Sequence, residues 1–266
     1  MVLLHGIEQN ISVGYNISFI GSGNVATNLA HALDKAGNTI YQVISSQSQH
    51  AQQLASKYGA YYSNDLAQVD DQSDFIILSV QDESYYTVLE ELPRGLKSII
   101  CHTSGPVSIQ VLSNYALNYG VFYPLQSMRK EEPKDFLDVP IFIEGNSEST
   151  KNSLFGLGKT ISNVVEEVSS EEREKYHLAA VFANNFTNLM YSISHDYLHE
   201  EALKFEHLLP IIKETSDRLS KGSPRDWQTG PAKRGDIGII QKHIDMLDSQ
   251  ALRDIYTQLS DYIKKM

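Results

Sequence analysis

An apolar stretch, Ile17–Ile20, runs directly into Gly21-Ser22-Gly23-Asn24-Val25-Ala26, after which Val25, Leu29 and Leu33 recur at helical spacing. A G-x-G-x-x-A turn between a strand and a helix suits the binding of a pyrophosphate. The first glycine permits the tight turn, and the second lets phosphate approach the backbone. The small Ala26 lets the helix pack close to the strand, with its N-terminus facing the anion. Gly21, Ser22, Gly23, Asn24 and Val25 are therefore candidate cofactor-binding residues. The next strand ends in Ser45-Ser46-Gln47, and no acid follows until Asp65. A carboxylate at that strand end would hold a ribose 2′-hydroxyl; its absence removes repulsion toward a 2′-phosphate and favours NADP(H) over NAD(H).

Further polar groups stand after later strands. Ser79, Val80 and Gln81 would border the adenosine ribose, and Thr103 and Ser104 would come near the nicotinamide, with His102 beside them as a second proton donor. Tyr123-Pro124-Leu125-Gln126-Ser127 follows another strand and could floor the same cleft, with Gln126 as a candidate substrate contact. On the long helix beyond Ser169, His177, Val181, Asn184, Asn188, Tyr191 and His195 fall on one stripe at 100° per residue. His177 is the candidate acid–base residue, because an imidazole exchanges protons near neutral pH. Asn184 would orient the substrate or the nicotinamide amide, and Asn188 would contact substrate. Arg234, in Thr229–Asp236, could bind a substrate carboxylate or simply form a surface ion pair. Cys101 lies inside a strand and reads as packing, and no residue set has metal-ligand spacing.

Positioning these groups requires an alternating fold. Strands are expected at Ile17–Ile20, Thr39–Ile44, Ala60–Tyr62, Phe75–Val80, Ser98–His102, Val121–Tyr123 and Pro140–Glu144, with helices between the early ones. Gly37 and Gly59 are placed as left-handed helix stops, and Asp82 and Asp236 as helix caps. This alternation predicts an α/β fold with a doubly wound, mainly parallel sheet over 1–168. Ser169 and Glu172 then have capping-box spacing, and helical periodicity continues to Met266 with a break near Gly222–Gly235. An all-α domain is expected over 169–266, for substrate binding or dimerisation.

Bulk properties narrow the function. The 266 residues carry a net charge of −11, most of it in the sheet half, which argues against nucleic acid as a partner. A single cysteine fits a reducing compartment, and no apolar run reaches the ~18–20 residues of a membrane span. Met1 to Gly14 does not pattern as a signal peptide and reads as a short extension. A cytoplasmic protein with a small-molecule substrate and no membrane partner is the expectation.

Five motifs carry a resemblance over nearly the whole chain: GSGNVA at 21–26, HTSG at 102–105, YPLQSM at 123–128, FANNFTN at 182–188 and TGPAKRGD at 229–236. Together they resemble the NADP oxidoreductases that join a Rossmann domain to a helical C-terminal domain of unknown function. More distantly the chain looks like pyrroline-5-carboxylate reductases and β-hydroxyacid dehydrogenases. The resemblance implies a helical domain that closes over the nicotinamide and forms a homodimer. It breaks in one place: aligning Asn184 and Asn185 puts Val181 where the hydroxyacid enzymes carry a catalytic lysine, which argues against that chemistry. TGPAKRGD also reads differently from the Ser-Pro-Gly-Gly-Thr loop of the pyrroline relatives. Two readings follow, an NADP-dependent oxidoreductase acting on a small carbonyl or imine and a non-catalytic NADP(H)-binding sensor or interaction protein. Reduced deazaflavin as hydride partner rests on fold analogy alone.

Overall fold

The computed structural model describes residues 14–266, so the extension expected at the start lies outside the described residues except for Gly14. One sheet of eight strands forms the first part: β1 (Asn16–Ile20), β2 (Thr39–Ile44), β3 (Tyr61–Ser63), β4 (Phe75–Leu78), β5 (Ile99–His102), β6 (Asn118–Pro124), β7 (Ile141–Gly145) and β8 (Val165–Glu167). Their order is β3-β2-β1-β4-β5-β6-β7-β8, and every pair is parallel except β6 with β7. The continuous apolar run of β4 is buried at each of its four residues, as a central strand covered on both faces must be.

Helices α1 (Asn24–Lys35), α2 (Ser48–Ala55), α3 (Tyr85–Glu91) and α4 (Glu148–Lys159) cover the faces. Gly37 and Gly59 adopt φ of +86° and +66°, the left-handed conformation expected of them. Two apolar clusters result. One seats α1, α2 and α4 through Leu29, Leu33, Leu54 and Leu154, and the other seats α3 through Tyr85 and Leu89.

Two elements escape the sequence pattern. Helix α4 begins in the polar run Asn146–Thr150, which reads as a loop; the Ser147 side chain caps it by accepting from the Thr150 amide, and Leu154 and Leu157 anchor it. Strand β8 has three residues, too short for a pattern. Both expected aspartate caps are corrected. Asp82 opens a single 3₁₀ turn, Asp82–Ser84, and makes no side-chain cap. Asp236 gives its carboxylate to Arg234 instead of to the helix behind it.

Beyond the sheet, α5 (Ser170–Ala180) starts with the expected reciprocal capping box between Ser169 and Glu172. The long helix expected beyond Ser169 is interrupted by a π-helical segment, Val181–Phe186, before α6 (Thr187–Glu200). Thr187 Oγ1 donates to the Phe182 carbonyl, five residues back, which supports the wide turn. Then follow α7 (Leu209–Asp217), α8 (Pro231–Arg234), α9 (Ile237–Asp245) and α10 (Gln250–Lys265), with 3₁₀ turns between. By contacts the chain groups into Met1–Asn188 and Leu189–Met266. The second unit holds α8, α9 and α10 together by packing and by a 2.8 Å hydrogen bond between His243 Nδ1 and Tyr256 Oη.

Candidate functional site

The turn after β1 is fixed by glycine for two reasons. Gly21 has φ of +107°, and a Cβ there would stand 2.2 Å from the Ser79 carbonyl oxygen. Its amide donates to the Ile44 carbonyl at 2.7 Å, which locks the ends of β1, β2 and β4 around one point. Gly23 plays a different part. A Cβ on it would meet no atom within 4 Å, so its missing side chain leaves clearance, and α1 behind it has no side-chain cap. The first backbone bond of α1 is Thr27 N–H to Gly23 O, at 3.0 Å. The amides of the first turn before Thr27 are therefore free for an anion.

This turn opens on a cleft of about 710 Å³. Gly21, Ser22, Gly23, Asn24, Ser45, Ser46, Gln47, Ser79, Val80 and Gln81 all line it, so ten of the predicted cofactor residues share one cavity. Ser22 Oγ donates to Ser45 Oγ at 2.9 Å and ties the glycine turn to the end of β2. His50, Asn64 and Lys130 line the cleft too and were not anticipated. Val25 is half-buried against the core instead, and Thr103 and Ser104 are buried and do not line the cleft. Thr103 Oγ1 donates to the Leu78 carbonyl, and Ser104 Oγ accepts from the Val107 amide.

Lys130 reaches the cleft through an asparagine clamp. Asn24 and Asn28, one helical turn apart on α1, both turn outward to the segment after β6. Asn24 Oδ1 accepts from the Lys130 amide at 3.1 Å, Asn28 Nδ2 donates to the Arg129 carbonyl at 3.0 Å, and Asn28 Oδ1 accepts from the Lys134 amide at 2.9 Å. Buried Met128 anchors the same segment in the core.

A second group of side chains gathers at the ends of β5 and β6. Tyr123 Oη lies 3.2 Å from His177 Nδ1, and the imidazole packs on Gly105, where a Cβ would come within 2.6 Å of Nδ1. Burial pushes the Tyr123 phenol above its ordinary pKa, and the nearby Arg173 guanidinium opposes this, so the phenol keeps its proton at neutral pH. Arg173 itself is completely buried on the first turns of α5. Its Nε donates to the Ser104 and Gly105 carbonyls, both at 3.2 Å, its Nη2 to the Val107 carbonyl, and its Nη1 to Glu144 Oε2 at 2.8 Å. A single guanidinium thus holds the 104–107 loop against His177, with Glu144 balancing its charge. Tyr123 was expected only as part of the cleft floor, and neither Arg173 nor Glu144 was singled out from sequence. The interior arginine has no local signature, since its value comes from carbonyls some 68 residues away in the chain.

The remaining predicted residues lie apart. His102 is fully buried against Tyr85, with Nδ1 accepting from the Ser104 amide at 3.2 Å. Burial first, and Arg173 second, push its pKa down to about 3, so it is a neutral structural ring. Asn184 sits within the π segment and Asn188 on α6, both exposed. The π segment also breaks the even 100° step by which they shared a stripe with His177. Gln126 is exposed and accepts from the Ser127 amide. Arg234 is exposed and paired with Asp236 at 2.9 Å. Among the described residues no group of acidic, histidine and cysteine side chains has the arrangement of a metal site.

Comparison with known proteins places these features. Residues 16–101 match the model of the NADP oxidoreductases, coenzyme F420-dependent, and residues 139–263 match a domain of unknown function, DUF2520. The solved structure of BF3122 from Bacteroides fragilis, classed by its name among the NADP oxidoreductases, is 38% identical. The match covers 95% of this chain and 99% of that one, with a TM-score of 0.91. A 1-pyrroline-5-carboxylate reductase from Streptococcus pyogenes is 17% identical, with 96% and 100% covered and a TM-score of 0.65. An imine reductase from Myxococcus stipitatus, solved in complex with NADP+, is 12% identical, with 94% and 92% covered and a TM-score of 0.63. These last two share the fold. No curated protein matches the chain.

Proposed function

The chain belongs to the NADP oxidoreductase family in which a Rossmann-type domain precedes DUF2520, and on that premise we propose that it reduces a small carbonyl or imine compound with NADPH. The observation that carries the reading is the cleft, which joins the uncapped N-terminus of α1 to a strand end furnished with Ser45, Ser46, Gln47 and His50. The residues fit the dinucleotide. Clearance at Gly23 and free amides suit a pyrophosphate, and a hydroxyl-lined, acid-free β2 end suits a 2′-phosphate. When bound, the dihydronicotinamide supplies the hydride.

The protein's own part is to deliver a proton and hold the reactants. Neutral Tyr123 donates a hydrogen bond to His177 Nδ1, which sets the proton on Nε2. As Nε2–H passes to the substrate oxygen or nitrogen, the phenolic proton moves to Nδ1, and the tyrosinate is reprotonated from solvent. Arg173 fixes the 104–107 loop that the imidazole packs on. Asn184 orients the substrate or carboxamide, and Gln126, Asn188 and Arg234 are substrate contacts in this reading. Val181 in place of a lysine disfavours hydroxyacid oxidation. We further propose that the helical part, taken from residue 169, forms a homodimer, because Leu209, Ile211, Ile237 and Tyr262 are exposed. Among the described residues no helix is long and apolar enough to cross a membrane, and a cytoplasmic location is part of the proposal.

Calorimetric titration with NADPH and NADH tests the cofactor. Tighter binding of NADPH is expected, and equal or reversed preference would refute the assignment. With a panel of small imines and ketones, NADPH oxidation that drops at least about tenfold in His177→Ala is expected. Unchanged turnover in both His177→Ala and Asn184→Ala would remove them from the mechanism.

A further inference from the structure

Among the described residues Lys130 is the one lysine or arginine that lines the cleft, where the other formal charges are the carboxylates of Glu83 and Glu91. Among the described residues its ammonium group has no carboxylate partner, although neighbouring Arg129 and Lys134 each have one. The clamp from Asn24 holds its backbone at the first residue of α1, beside the free amides of the uncapped turn. The direction of approach also matters. Ser45–Gln47 follow β2, on one side of β1, while Lys130 arrives from the chain after β6, on the other side of β1 in the sheet order. The two ends of the cleft therefore offer different anion partners, hydroxyls at the β2 side and a lysine whose backbone is held at the helix N-terminus.

We propose that Lys130 is a pyrophosphate ligand, pairing with the bridging diphosphate of the dinucleotide while the β2 end serves the 2′-phosphate. The proposal rests on the cofactor reading above. An unpaired, compact cation next to free backbone amides suits a dianionic diphosphate, whose oxygens the amides alone leave partly unneutralised. A residue remote in sequence is held at the glycine turn by Asn24, while Asn28 fixes the same segment at Arg129 and Lys134.

Isothermal titration of the full-length protein with NADPH and with NADH, in wild type, Lys130→Ala and Lys130→Arg, tests the assignment. Thermal unfolding of each variant checks that it is folded. Loss of the ammonium group is expected to weaken both nucleotides about tenfold and to leave their affinity ratio unchanged, with arginine restoring most of the loss. Weakening of NADPH alone would move Lys130 to the 2′-phosphate and overturn the proposal. Unchanged affinity for both would overturn it outright while the cofactor reading stands. A wild-type protein that binds neither nucleotide would overturn the reading and the proposal together.

Discussion

In the sheet unit, β1, β4 and the inner faces of α1 and α4 are sealed: Ile17, Phe19, Ile76, Phe122 and Leu154 have no exposed surface. The second unit is built otherwise. Among its described residues only Ala232, Ile240 and Ser260 are buried, while Leu209, Ile211, Ile237 and Tyr262 face outward. The sheet has two strand-facing layers to hide its apolar side chains between, whereas short helices joined by 3₁₀ turns give their amphipathic faces little to lie on. Polar bonds differ in the same way. Around Arg173 they run between elements distant in sequence, whereas those of α7 are i to i+4 pairs at the surface, such as Lys213 with Asp217. A self-sufficient core supports the cleft, and the exposed apolar side chains are those proposed above for the dimer.

Truncation in the core should have the largest effect. Phe122→Ala is expected to cost about 3–5 kcal/mol in urea unfolding, and a loss under 1 kcal/mol would show that the sheet core is not closed. Glu144→Ala strands the buried Arg173 charge, and about 3 kcal/mol is expected by the same measurement, with His177 losing its support. A smaller effect comes from acid. Folded His102 takes a proton only near pH 3, while the unfolded ring does so near 6.5, so between these values the unfolded state binds the extra proton. Stability should then fall as pH drops below 6.5, by roughly 1.4 kcal/mol per unit or about 2 kcal/mol at pH 5, and His102→Gln should flatten that slope. Smallest in stability is Ile237→Lys. At 74% exposure it should shift unfolding of the monomer by less than about 0.5 kcal/mol, yet light scattering should show a weakened dimer.

Sequence pattern exposed the sheet well, because β4 announces burial by an unbroken apolar run and α1 announces its face by Leu29 and Leu33. The cofactor turn was legible for a related reason: Gly21 and Gly23 act within a few residues of where they stand. The proposed proton-handling group was half legible. His177 could be chosen by its chemistry, but its partner Tyr123 and the arginine that braces its loop meet it only through the fold. The clamp that brings in Lys130 spans 106 positions and has no periodicity to read. Asn184 failed to stay on the His177 stripe for a local reason, the π turn between them.

That turn also acts as a phase shifter. Its hydrogen-bonded rings enclose one more residue than those of an α-helix, so removing any one residue from Val181–Phe186 would let the helix close up as regular α. The α6 residues that follow would keep their azimuth relative to His177, because the lost residue carried the one step of about 100° that the wide turn absorbs. Closing the turn to regular α with every residue kept would instead swing Tyr191 and His195 together by about 100°. The angular setting of α6 is thus held by the extra residue in the turn, and by no side chain.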